Sequence, residues 1–335
     1  VNELIINLPD DFHVHLRQGD ETPDYAKDHE AHFNRIMVMP NTLPPIRSAE
    51  SMLAYYQEIK AAAPSLNPLM TFKLHPDYTP EQLRALKEAG AIAGKYYPQG
   101  VTTNSEDGVR EMDALFPVFA EMEKLGIVLS LHGEEPSAFC IDRERVFIKK
   151  MEKIWTEFPK LKIVLEHVST LEAIELVKAA PAHVAATITV HHMCLTLNDL
   201  MGGALKPHYF CKPVVQGPQD RKAILNAACS GNPKFFFGSD SAPHLRHRKE
   251  QSVCAAGIYT APVAMAVLME LFEEQQALDK LENFCSGFGA DFYGLPRETS
   301  KKLRLIRQEW TVAEEYHGVV PLYAGRTLGW KAEKI

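Results

Sequence analysis

The chain has 335 residues, 46% of them hydrophobic and 24% charged, with a formal net charge of −7. That is a globular composition with material for a large core, and it leaves no basic block to hold a nucleic acid and no apolar run of about 18 residues to cross a membrane. Six scattered cysteines with no Cys-x-x-Cys pair, and an N-terminus lacking the basic start and apolar run of a signal peptide, point to reduced thiols in the cytoplasm.

The first element, Asp11 to Arg17, reads as a β-strand whose alternation sends His13 and His15 one way, about 7 Å apart, and Phe12 and Val14 the other. Arg35 to Asn41 is a second apolar strand, stopped by Pro40 and Asn41. Met52, Leu53, Tyr56 and Ile59 give one face to a helix over 49–62. A third strand covers 69–74, with His75 at its end read as structural or exposed, and Thr79 starts a helix over 80–89. The fourth strand, 92–97, carries Lys95 and runs into a polar loop, 98–108. Helix 111–125, strand 127–132 and helix 142–158 follow, then strand 162–167, helix 170–179 and strand 184–189. After a less regular stretch come helix 218–229, strand 235–240 and helical segments over 261–291.

Eight near-continuous apolar strands alternating with helices imply a parallel sheet buried on both faces. Within the α/β class they favour one closed (β/α)8 TIM barrel, with residues 1–335 forming a single domain. No Gly-x-Gly-x-x-Gly turn follows a strand, which argues against a dinucleotide site. Residues 300–335 read as a C-terminal extension packed on the barrel, with Leu303, Ile306 and Trp310 in helical spacing.

Barrel enzymes work at the C-terminal ends of their strands. Here those ends carry His13 and His15, Lys95, His132, His167 and Asp240. Singly, each has a plain alternative: a capping or exposed histidine, a turn aspartate, a lysine reaching solvent. Together at one mouth they favour a metal site, because imidazole and carboxylate suit Zn²⁺ and similar ions. A protonated lysine beside dications would be repelled. Charge balance therefore points to a neutral amine that has taken up CO₂ as a carbamate, an anionic ligand able to bridge two ions.

These residues carry a resemblance. Pro9 to Arg17, Met39-Pro40-Asn41, Lys95 to Pro98 with Thr102 to Ser105, Leu131 to Glu134, Glu166-His167, Gly238 to His244, Arg246 to Glu250 and Phe292 to Pro296 are similar to the amidohydrolase superfamily, and within it to the shorter, bacterial-type class of dihydroorotases. The likeness runs from about Leu8 to about Trp330. The short lead before His13 leaves no room for the flanking β-domain of many hydantoinase-like relatives.

The resemblance implies a hydrolase that interconverts N-carbamoyl-L-aspartate and L-dihydroorotate in pyrimidine synthesis. It implies two divalent ions, expected to be Zn²⁺: His13 and His15 hold one with Asp240, His132 and His167 hold the other, and Lys95 bridges as N6-carboxylysine. A water between the ions attacks the ring amide, with Asp240 as the catalytic proton carrier. Arg17, Asn41, Thr102, Thr103, Lys212, His244 and Ala256 are the implied substrate contacts, although Lys212 stands where relatives often carry an apolar residue. His192 matches a family histidine, His191 has no assigned role, and a homodimer is expected. The alternatives are another cyclic-amide hydrolase on the same fold and a barrel kept as a scaffold. Arg17, Asn41 and His244 speak for a carboxylate-bearing ring, and the complete ligand set speaks against a scaffold.

Overall fold

A computed structural model describes residues 1–101 and 103–335. Its centre is a sheet of eight parallel strands: β2 (Asp10–Val14), β3 (Arg35–Val38), β4 (Asn67–Lys73), β5 (Ala93–Tyr96), β6 (Val128–Leu131), β7 (Ile163–Leu165), β8 (Val184–Ile188) and β9 (Phe235–Phe237), in that spatial order. The ends of the sheet come together just past β9. His15 N donates to Ser241 O at 3.0 Å and Asp240 N donates to His13 O at 2.9 Å. The expected (β/α)8 barrel is therefore present, shut by a seam between its first and last strands.

Alternation along the strands sorts side chains into two cores. Ile36, Val38, Phe72, Leu129, Leu131, Ile163 and Leu165 face the surrounding helices. Phe12, Met37, Ala93, Val128, Val164, Ala185 and Phe236 fill the barrel's interior floor. Two residues further along the same interior face come Lys95, Ser130, Glu166, Thr187 and Gly238, and beyond them His132, Thr189 and Asp240. The interior thus grades from apolar floor to polar mouth.

Phe12 departs from the expected alternation. It lies on the floor, 5.4 Å from the Phe236 ring and stacked at 5.2 Å on Tyr293, whereas Val14 belongs to the outer core. The cause is a register shift between Asp11 and Val14 in the β2–β3 pairing, a local bulge that re-aims side chains. Gly289 in the plugging helix Phe288–Tyr293 is bare for the same contact, since a Cβ there would lie 2.2 Å from Phe12 Cε2.

The helices over 49–62 and 80–88 match their expected spans, each opened by a hydroxyl cap. Ser48 accepts from Ser51 N and Thr79 from Gln82 N. The expected single helix over 142–158 is broken into Arg143–Phe147 and Met151–Glu157 with a tighter turn between. The larger correction is at the C-terminus. Residues Lys302–Thr311 form strand β10, pairing antiparallel with β1 (Glu3–Asn7) and with β11 (Thr327–Lys334). Leu303 and Leu305 alternate inward there, and that period of two outweighs the helical spacing of Leu303, Ile306 and Trp310. The lead before His13 is thus one strand of a small sheet beside the barrel. No helix among the described residues is long and apolar enough to cross a membrane.

Candidate metal centre and substrate pocket

The seam that shuts the barrel also assembles the first group of ligating atoms. His15 Nε2 lies 3.0 Å and His13 Nε2 3.5 Å from Asp240 Oδ1. Burial alone would raise the Asp240 carboxyl, but the adjoining His15 and His13 imidazoles outweigh it and hold the carboxyl well below the usual range. Burial takes the His15 imidazole down to about 4, so it is neutral and free to ligate at neutral pH. Gly238 makes room for this packing, since a Cβ on it would lie 3.1 Å from His13 Cβ. Backbone strain gathers here too. Arg17, His167 and Asp240 have φ of 59°, 41° and 45°, the left-handed region that non-glycine residues occupy mainly where function demands it.

The second group faces it across the mouth. His132 Nδ1 and His167 Nε2 are 3.1 Å apart, and the His167 ring is 5.0 Å from that of His13. Burial, with the neighbouring His132 and Lys95 charges, keeps His167 well below its ordinary range. Lys95 sits beneath both groups, fully buried, 5.4 Å from the centre of the Tyr97 ring. Its Nζ has no hydrogen-bond partner among the described residues. Burial lowers its pKa to about 8 against the opposing pull of Glu166 and Asp240.

Two buried carboxylates that the sequence reading gave no role support the imidazoles. Glu166 Oε2 is 2.9 Å from His13 Nδ1 and also accepts from Thr187 Oγ1, while Oε1 accepts from Ser130 Oγ. Burial would raise Glu166, but the His13 and Lys95 charges hold it ionised. Glu134 Oε2 is 2.6 Å from His132 Nε2. The available signal was positional: each glutamate stands within two residues of a strand-end histidine. Such partners orient a ligand and raise its basicity, and losing one typically weakens metal binding by about 10–100-fold. Glu166→Gln is expected to weaken metal retention in that range without unfolding the chain. Competition with a chelator measures this, and an unchanged metal affinity would remove Glu166 from the site.

The donor set fits metal ions. One atom each from His13, His15 and Asp240 lie within 4.8 Å of one another, and nitrogen with carboxylate oxygen is the set that zinc-like ions take. Lys95 fits only after modification, because an ammonium offers three donors and no acceptor. A buried amine without a partner is the group a carbamate would complete.

The pocket above these residues is lined by Arg17, Asn41, Thr103, Lys212 and Ala256 as well as by His13, His15, His132, His167 and Asp240. It opens into an outer vestibule of about 350 Å³ that His244 and Arg248 line. Arg17 Nε donates to Pro243 O, and its Nη2 is 2.9 Å from His244 Nε2. His244 Nε2 is also 3.0 Å from Ala256 O. Asn41 Oδ1 meets His15 Nδ1 at 2.9 Å, while its amide donates to Thr103 O. Thr102 lies outside the described residues. The loop bearing Thr103 is tied down by Lys73, a buried strand residue overlooked in the sequence, whose Nζ donates to Asn104 O and Asp107. His75 is half-exposed beside Asp77 and takes no part. The basic run after His244 divides. Arg248 faces the vestibule, whereas Lys249 turns inward and donates to Phe210 O and Gly257 O.

An amidohydrolase family model matches residues 50–242. The chain is 44% identical to a dihydroorotase of Teredinibacter turnerae, over 99% of both chains. It is 45% identical to one of Coxiella burnetii, over 99% of this chain and 98% of the relative.

The chain belongs to the dihydroorotase family.

Among solved structures, a dihydroorotase from Saccharomyces cerevisiae in complex with 5-fluoroorotic acid superposes with a TM-score of 0.94 at 35% identity, covering 100% of this chain and 99% of the other. Family membership makes the chain a metal-dependent hydrolase of cyclic amides. The structure brings His13, His15, Lys95, His132, His167 and Asp240 together from five strand ends at one mouth, while His191 and His192 do not line the pocket. His192 bonds Thr189 and Pro213.

Proposed function

We propose that this chain interconverts N-carbamoyl-L-aspartate and L-dihydroorotate plus water, with residues 1–335 acting as one domain and the protein as a homodimer in the cytoplasm. The observation that carries the reading is the continuity of Arg17, Asn41 and His244 with the His13–His15–Asp240 group, because a ring substrate needs its carboxylate and its scissile amide held at once. All six cysteines are free, which suits a reducing compartment.

His13, His15 and Asp240 would hold one divalent ion, His132 and His167 the other, and carboxylated Lys95 would join them; Zn²⁺ is the expected metal. Bound there, the ions would acidify a water toward pKa 7 and polarise the amide carbonyl. Asp240, ionised and fixed by His15, takes the proton from the attacking water and returns it to the leaving ring nitrogen. In synthesis the same carboxyl acts in the opposite order. Arg17 presents a planar fork to the substrate carboxylate. Arg17 is donor-only, so Arg17 and Ala256 O compete for the single His244 Nε2. A carboxylate that draws the guanidinium forward leaves His244 free to donate to Ala256 O. Asn41 links His15 to the Thr103 loop, so this loop closes against the metal side of the pocket and excludes water.

The test is hydrolysis of dihydroorotate beside an uncharged hydantoin, in the parent and in Arg17→Met. The parent is expected to prefer dihydroorotate. The variant should raise KM for dihydroorotate by roughly 10–100-fold, as expected for lost charge-assisted hydrogen bonds, with metal content intact. Equal parent rates on both substrates would replace this reading with a general cyclic-amide hydrolase.

A further inference from the structure

Behind the pocket wall that carries Lys212 and Ala256 lies a second cluster of ligating atoms. His191 and His192 belong to the short helix Val190–Cys194 that follows β8. Cys211 comes from the separate segment leading to Lys212. One atom from each of the three lies within 4.8 Å of the other two, and all three side chains are buried. The His191 and His192 rings are 4.7 Å apart.

His191 is the telling residue. Its Nδ1 and its Nε2 are both buried with no hydrogen-bond partner among the described residues. Buried polar atoms are almost always paired, and an imidazole with both nitrogens idle calls for a ligand. Neither nitrogen is engaged by the neighbouring metal centre's hydrogen-bond network, which runs through Glu166, Glu134 and Asn41.

We infer that His191, His192 and Cys211 form a third cation site, sharing no residue with the centre at His13 and Asp240, for a thiophilic ion of the Zn²⁺ class. Two imidazoles and a thiolate are a soft, nitrogen–sulfur set that favours zinc-like ions over Mg²⁺ or Ca²⁺ and leaves a fourth position open. Binding breaks the Cys211 S–H bond, forms a sulfur–metal bond and releases the proton to solvent.

The donors differ in what they give up. His191 loses no contact. Cys211 gives up one S–H bond to Pro213 O at 3.2 Å, the thiol being a weak donor. His192 must release either Thr189 Oγ1, 2.8 Å from Nδ1, or Pro213 O, 3.0 Å from Nε2. The site is therefore weaker than the catalytic centre, and its occupancy is felt by the pocket. Cys211 adjoins Lys212, and Phe210 O accepts from Gly257 N beside Ala256. Pulling Cys211 toward the two histidines displaces the segment that lines the substrate, so excess cation raises KM several-fold.

Cobalt separates this site from the catalytic one, because the catalytic donor set contains no sulfur. Protein with its catalytic centre already filled is titrated with Co²⁺ and followed in the near ultraviolet for a thiolate-to-cobalt charge-transfer band. The expected result is a band that saturates at one further equivalent per chain. It should vanish in Cys211→Ser, require at least tenfold more Co²⁺ in His191→Gln, and persist in Cys254→Ser. Absence of the band in the parent protein, or its survival in Cys211→Ser, overturns the inference. Should Cys211→Ser fail to fold, His191→Gln decides, and an unchanged Co²⁺ affinity there overturns it equally. These readouts do not depend on which cyclic amide the enzyme turns over.

Discussion

Lys95→Ala is expected to lower turnover by about 10³-fold or more and to remove at least one metal ion per chain, because under the proposed function several kcal/mol of transition-state stabilisation would rest on a metal pair. The argument begins with burial. Lys95 is fully enclosed, its Nζ has no partner among the described residues, and Glu166 and Asp240 are its charged neighbours. Desolvation brings the amine near neutrality, and under the proposed function that amine would add to CO₂, forming a nitrogen–carbon bond and releasing one proton. The product has the acceptor oxygens that the ammonium lacks. Truncation to alanine leaves a cavity at the meeting point of His132, His167 and Asp240, so short carboxylic acids are expected to restore part of the activity and the metal. Steady-state rates with elemental analysis, with and without added acid, make the check. A Lys95→Ala protein that keeps full metal and full activity would exclude the bridging role.

Asp240→Asn is expected to reduce kcat by roughly 10²–10⁴-fold in both directions, the range of a positioned general acid–base group, while KM for dihydroorotate changes little. Asparagine keeps the shape of the side chain and can leave an amide oxygen where Oδ1 now lies, 3.0 Å from His15 Nε2. What disappears is the capacity to take up and return a proton, together with the negative charge that Asp240 would offer a bound ion. Under the proposed function the substrate carboxylate falls to other residues, Arg17 and Asn41, hence the expected split between kcat and KM. Rates of both cyclisation and ring opening should fall together. A variant retaining more than a tenth of the parental kcat would move the proton transfer to another group.

Much of the mouth could be read from the chain because a parallel barrel sends every strand's C-terminal end to one place. Knowing that Lys95, His132, His167 and Asp240 end strands was then enough to bring them together. Thr79 announced its helix by the hydroxyl cap the structure displays. Elsewhere local pattern misled. Phe12 sits on a bulged strand, so parity counted from His13 sends it to the wrong face. The segment at Leu303 satisfies two periods at once, and its pairing with Glu3–Asn7 and Thr327–Lys334 decides for strand. Glu166 looked like one more polar residue beside a histidine, since its value lies in Ser130, Thr187 and His13 arriving from three other strands. Nothing local connects His191, in the short helix Val190–Cys194, to Cys211 in a later segment.

The seam between β2 and β9 bears on how the protein is made. Some 226 residues separate His13 from Ser239, so a chain emerging from the ribosome displays its first two imidazoles long before the aspartate that completes their ion site. Loading of such an ion would therefore wait until Asp240 has emerged, and a translation product interrupted before it would be open-edged and lack a ligand, a ready client for chaperones and proteases.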